Sequence, residues 1–188
     1  MNCWISAQTI SRSSPRTASS DVTDSCQECG YVYDMARERI PNELRDIARR
    51  FRELLRGTDA DRLRTHSRSG VWSPLEYACH YRDVLRVQRE RIELALRKDK
   101  PVFTSMRREE RVTEERYNEQ DPATVGVEIA VAADELASVL ERLRAKDWDR
   151  EGEYHYPTTQ LRNVEWIANH TVHEGVHHLM DIERQLAA

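Results

Sequence analysis

No apolar run in this 188-residue chain approaches the roughly 20 residues that a membrane-spanning helix needs. No stretch of lysine and arginine is free of interleaved acid, and the formal net charge is −4. Phosphate binding needs a basic footprint, so nucleic acid is not expected as a main partner. Glycine, with 6 residues, and phenylalanine, with 2, are scarce, and nothing reads convincingly as a sheet. The 4 cysteines (Cys3, Cys26, Cys29 and Cys79) demand no oxidising compartment, which makes the cytoplasm the expected location.

What the chain does have is charge: 33% of its residues, against 39% hydrophobic. That balance suits one helical domain with solvated faces rich in arginine and glutamate. Serine and threonine crowd residues 6–25, and no apolar periodicity follows Ile10. A secretory signal would need a continuous apolar region, which is missing there. A disordered leader over 1–25 and a folded domain over 26–188 are expected. Cys26-Gln27-Glu28-Cys29-Gly30 is a lone CxxC. A structural zinc site would want a second CxxC or a CxxH, and none is spaced to supply it. Half of a shared metal site, a redox pair and two thiols in a turn all stay open.

Four segments carry helical periodicity. Ile40, Leu44, Ile47, Phe51 and Leu54 form the first stripe, with Pro41 in the opening turn and Gly57 at the stop. Ser73, Pro74 and Glu76 spell a capping box with proline at the first helical position. The second stripe is then Tyr77, His80, Tyr81, Val84 and Val87, ending before Pro101. Residues 107–119 alternate charge without an apolar stripe, which predicts a short exposed helix inside a long crossover. The third helix follows Asp121-Pro122 with Val125, Ile129, Ala132, Ala133, Leu136, Leu140 and Leu143 inward. Thr158 or Thr159 is expected to cap the last, whose stripe is Ala168, Val172, Gly175, Leu179, Ile182 and Leu186. The expected fold is all-α: a four-helix bundle with one long crossover between helices two and three.

The last helix also carries His170, His173, Glu174, His177 and His178. Residues four apart lie one turn apart on a single helix face, the spacing with which a helix offers two ligands to one divalent ion. Measured from the apolar stripe at 100° per residue, His178 lies at about 90° and Glu174 at about 130°, on one flank. His173 falls on the other flank, and His177 nearly opposite the core. The wheel favours Glu174 with His178 over His173 with His177, a pair that would make Glu174 the base of a zincin-like motif. His80, inside the second helix's stripe, would on its own be read as a buried histidine bonded to a carbonyl or a tyrosine.

Trp72-Ser73-x-x-Glu76-x-x-x-His80 resembles the motif opening helix two in the DinB-like superfamily of metal-binding bundles. The run from Glu174 to Ile182 resembles that superfamily's last-helix motif, in which two ligands four apart precede a triplet ending in isoleucine. Matched without gaps, the resemblance implies metal ligands at His80, Glu174 and His178. Glutamate at the middle position is similar to the subgroup of mycothiol-dependent maleylpyruvate isomerase. The resemblance spans about residues 35–186 and implies an up-down-down-up bundle, a divalent metal at one end and often a homodimer. For that subgroup it further implies a low-molecular-weight thiol cosubstrate such as mycothiol or bacillithiol. The isomerase itself has an additional C-terminal domain contributing to its active site, and this sequence stops at Ala188, so isomerisation of maleylpyruvate is not expected.

The expected chemistry is a metal-dependent thiol S-transferase or thiol-dependent isomerase acting on a small electrophile. Zinc is the first expectation for the ion, with nickel and iron as alternatives. A small metal-dependent hydrolase and a non-catalytic metal-binding bundle are the competing readings. No general acid is assigned; Arg82, Asp83 and Tyr117 are named for that role without a specific signal, and His173 and His177 as groups beside the metal.

Overall fold

The computed structural model describes residues 25–155 and 158–187. Four long helices form the body: α1 (Ile40–Gly57), α3 (Pro74–Arg97), α5 (Pro122–Glu141) and α6 (Val164–Leu186). Two short ones, α2 (Ala60–Arg64) and α4 (Arg108–Glu114), lie in the connections. α1 and α3 each pack on both α5 and α6, and so face each other across the core of an up-down-down-up bundle. Of the expected leader, 1–25, only Ser25 lies within the described residues.

Local chemistry sets the helix starts. Ser73 accepts from the Glu76 N–H at 3.2 Å while the Ser73 N–H donates to the Glu76 carboxylate at 2.7 Å, a complete capping box. Asp121 caps α5 through the Thr124 N–H at 2.8 Å. Asn163, rather than Thr158 or Thr159, caps α6 through the Trp166 N–H at 2.9 Å. Each such cap stabilises its helix by about 1 kcal/mol. In the core, Phe51 of α1 stacks on Tyr81 of α3 with ring centroids 4.7 Å apart. In the second helix, His80, Tyr81 and Val84 are buried as expected. Leu85, Ile92 and Ala95 are fully buried, whereas Tyr77 and Val87 are half-buried.

The all-helical expectation needs one correction. Before α6 lies a hairpin, β1 (Glu151–Tyr154) paired antiparallel with β2 (Gln160–Asn163), so that strand stands where the last helix was expected to begin after Thr158 or Thr159. Its other edge meets the start of the crossover: Phe103 N–H donates to Glu153 O at 3.0 Å and Glu153 N–H to Pro101 O at 2.8 Å. Gly152 makes this possible, because any Cβ there would collide with the Phe103 ring. Tyr154 faces inward, where its hydroxyl accepts from Gln88 Nε2 at 2.9 Å. The crossover, residues 98–121, contains the expected short helix as α4.

Asp83 anchors that crossover. Its buried carboxylate accepts from Arg82 Nε at 2.8 Å, Tyr117 Oη at 2.6 Å and Arg111 Nη1 at 3.2 Å. Burial alone would raise its pKa, but Arg82, Tyr117 and Arg111 outweigh burial and hold it below the ordinary value. A carboxylate depressed in the folded state contributes stability above its unfolded pKa of about 3.9 and loses it as pH falls through the folded value. Asp83→Asn should therefore destabilise the fold by about 1–3 kcal/mol at neutral pH, because it takes one carboxylate from buried Arg82, which keeps Glu128 at 2.8 Å. Thermal melts of both proteins should converge as the pH is lowered below about 4.

Candidate metal centre

At Gly175 helix α6 lies directly against α3 and α1. A Cβ there would sit 2.6 Å from Tyr81 Cζ and Oη and 2.7 Å from Ile47 Cγ2. That contact seats the residues on either side, Glu174 and His178, against His80 one residue before Tyr81. His80 Nε2 lies 3.7 Å from Glu174 Oε2, and His178 Nε2 lies 3.3 Å from the same oxygen. Ligand atoms of all three residues fall within 4.8 Å of one another.

The surroundings suit a divalent ion. His178 Nε2 is buried with no hydrogen bond among the described residues, while its Nδ1 faces Asp181 Oδ2 at 3.4 Å. A carboxylate on the outer nitrogen, with the inner nitrogen left for a ligand bond, is how metal-binding histidines are oriented. His80 is wedged between Trp72 and His178, with ring centroids at 5.0 and 5.1 Å. The Trp72-Ser73-x-x-Glu76 run thus caps the helix and walls in the histidine that follows it. Two imidazoles and a carboxylate are donors appropriate to zinc and its first-row neighbours.

The group concentrates buried charge. Burial works against charge at Glu174, yet His178, His80 and His170 hold its carboxyl well below the usual range. Burial likewise disfavours protonated His178, but Asp181 and Glu174 push its pKa up to about 9. Burial keeps His80 and His170 neutral, with pKa values below the ordinary histidine value.

His80 and Glu174 open onto a pocket of about 310 Å³. Its floor is α3 (Val84, Val87, Gln88, Arg91) and α6 (His170); its walls are residues 103–110 of the crossover and Tyr154 and His155 of the hairpin. Arg107, at the wall, holds a left-handed backbone with φ 51°. Arg82, Asp83 and Tyr117 do not line the pocket; they are engaged with one another and with Arg111. His170, which the sequence offered only as one of several ligands, lies beside Glu174 with Nε2 3.6 Å from Oε1. Its ring stacks on Trp166 at 4.7 Å, and the i, i+4 spacing to Glu174 was the signal available for it.

The other pair corrects the wheel. His177, expected nearly opposite the core, is only 3% exposed, and His173 only 2%. The segment before α1 covers them, bringing Cys26 and Cys29 to His173 and His177 with all four ligand atoms within 4.8 Å. The CxxC therefore has a partner pair after all. His177 turns to the thiols, while Glu174 points one oxygen to His80 and His178 and the other to His170 at 3.6 Å and His173 at 3.8 Å, so His170, His173 and Glu174 also come within 4.8 Å of one another.

Comparison with known proteins agrees with this architecture. The family model of the DinB superfamily matches residues 43–182. YfiT from Bacillus subtilis, "a probable metal-dependent hydrolase with an unusual four-helix bundle topology", superposes with a TM-score of 0.72 at 16% identity, covering 95% of each chain. The mycothiol-dependent maleylpyruvate isomerase superposes with a TM-score of 0.63 at 14% identity, over 83% of this chain and 70% of that one. No curated protein matches the chain in sequence. No helix among the described residues is long and apolar enough to cross a membrane.

Gly175→Ala should cost about 1–3 kcal/mol by overpacking and lower the fraction of chains that retain metal, read by melting and elemental analysis. Asp181→Asn should weaken metal binding about 10–100-fold by loosening the outer nitrogen of His178, with helical content unchanged by circular dichroism.

Proposed function

The chain belongs to the DinB superfamily, and we propose that it is a metal-dependent enzyme using a low-molecular-weight thiol against a small electrophile. His80, Glu174 and His178 would hold the ion. The observation that carries this reading is a set of three protein donors among the described residues, two of which, His80 and Glu174, line a pocket. A structural ion is enclosed by four protein ligands, whereas a catalytic one keeps a position for substrate. When bound, such an ion lowers the pKa of a thiol or water at that position enough to make it nucleophilic at neutral pH.

The remaining roles fall to the chain's own side chains. Val84, Val87, Phe103 and Met106 give the pocket apolar surface for the electrophile's carbon frame. Arg91, Arg107 and Arg108 offer donors to carboxylate or hydroxyl groups of a polar thiol. His170, neutral and in reach of Glu174, would accept the proton released by the nucleophile; it would return it to the carbanion formed in addition or the alkoxide formed in epoxide opening, and in halide displacement pass it to solvent as the halide leaves as an anion. Thiol addition, displacement of a halide and opening of an epoxide all use this arrangement. The hydrolase reading draws on the likeness to YfiT and differs only in the nucleophile, water in place of thiol.

Metal-loaded protein incubated with monobromobimane and a panel of thiols, mycothiol among them, should conjugate at least one thiol well above the uncatalysed rate. Chelation or His80→Ala should abolish the excess, with helical content mostly intact in the variant. Conjugation at the uncatalysed rate for every thiol would end the transferase reading; metal-dependent cleavage of model esters or amides without thiol would put the hydrolase in its place.

A further inference from the structure

We propose that Cys26, Cys29, His173 and His177 form a second metal site, a closed zinc centre that fastens the segment before α1 onto α6. The two halves have familiar zinc-ligand spacings, C-x2-C and H-x3-H, on two segments that meet only in the fold. The superfamily match begins at residue 43, after both cysteines, so half of this set lies outside it. The four ligands are also distinct from the three beside the pocket, and the proposal does not depend on the function assigned there.

Local structure prepares both halves. The Cys26 N–H donates to Tyr31 O at 2.8 Å and the Gly30 N–H to Cys26 O at 2.9 Å, closing a tight turn. Gly30 takes φ +73°, a conformation that glycine adopts without the penalty of a Cβ. The turn brings Cys26 and Cys29 together, and α6 presents His173 and His177 one turn apart.

The distances and the outer contacts fit a tetrahedral ion. Zn–S and Zn–N bonds of ordinary length place a sulfur and a nitrogen about 3.6 Å apart. Cys26 Sγ and His177 Nδ1 lie 3.7 Å apart. His173 Nδ1 is engaged by the Tyr33 hydroxyl at 2.9 Å, and its Nε2 is buried without a hydrogen bond among the described residues, 98% of the residue being out of solvent. His177 turns its Nε2 to Asp181 at 3.5 Å and Glu28 at 3.7 Å. Each imidazole thus has one nitrogen oriented by an outer group, which leaves His177 Nδ1, facing Cys26, and His173 Nε2 for the ion.

Charge and closure point to the same ion and to a structural role. Two thiolates and two neutral imidazoles balance a divalent cation, leaving no net charge in a buried place. Binding releases the two thiol protons to solvent and changes no oxidation state. Cys26, His173 and His177 are buried, and four protein ligands complete a tetrahedron, so no position is left for substrate. S2N2 donors in that geometry select zinc.

The test uses the full chain, reduced and loaded with cobalt(II) as a spectroscopic stand-in for zinc. Wild type should show a sulfur-to-cobalt charge-transfer band and bind two metals per chain. His80→Ala should keep the band and lose one metal, the one beside the pocket. Cys26→Ser with Cys29→Ser should lose the band and the other metal. Should that variant not fold, mass-mapped alkylation of wild type decides: with zinc bound, Cys26 and Cys29 resist iodoacetamide until a chelator is added. A saturated wild type without the band, or thiols alkylated equally fast with and without zinc, overturns the site. A band lost in His80→Ala overturns its independence from the pocket. Failure of thiol conjugation in the earlier assay leaves all these readouts unaffected.

Discussion

Everything in this molecule's chemistry depends on how closely α6 lies against α3 and α1 at Gly175. The absent side chain lets Tyr81 and Ile47 pack onto helix backbone, and residues 174 and 178 are thereby delivered to His80. Glycine inside a helix costs about 1 kcal/mol relative to alanine, so the position works against the helix's own propensity. A carboxylate gathered among four imidazoles is a second departure from what stability alone would favour, since burying an ion is costly unless it is paired. Asp181 and Glu174 favour the protonated form of His178, which sets a positive charge beside the Glu174 carboxylate. A divalent ion bound between them would take over that task and displace the proton.

The bundle supplies the floor of the pocket and irregular structure supplies its walls. The crossover is held by the Asp83 network on one side and by pairing of Pro101 and Phe103 with β1 on the other. Tyr154 and His155 come from the hairpin that this pairing extends. Substrate-facing residues placed on connections, over ligands placed on helices, divide the labour between adaptable and rigid parts. Asp181 joins the pocket's histidines to the buried pair on the next face, touching His178 on one side and His177 on the other. One carboxylate thus orients an imidazole in each cluster.

What could be read from the sequence was what depends on a single helix. Stripes such as Ile40, Leu44, Ile47 and Phe51, the capping box at Ser73 and the i, i+4 relation of Glu174 to His178 are properties of neighbouring residues. The wheel failed at His177 because it compares a residue only with its own helix; the cover over that face comes from Cys26, 151 residues upstream. The partner of the CxxC was invisible for the same reason. The hairpin went unread because Glu151-Gly152-Glu153-Tyr154 has no β-branched residue, and its reason to form is the Phe103 ring lying on Gly152. His170 stood in plain view among five candidate ligands, but its place in the pocket is set by Trp166 and the crossover.

The most direct measurement is an anomalous difference map from crystals of the metal-loaded protein, collected above the absorption edge of the ion. The account predicts a peak about 2.0–2.2 Å from His80 Nε2, His178 Nε2 and a Glu174 oxygen, with a remaining coordination position facing the pocket. A loaded crystal with no peak among those three atoms, or with a fourth protein side chain closing the coordination sphere, would contradict it.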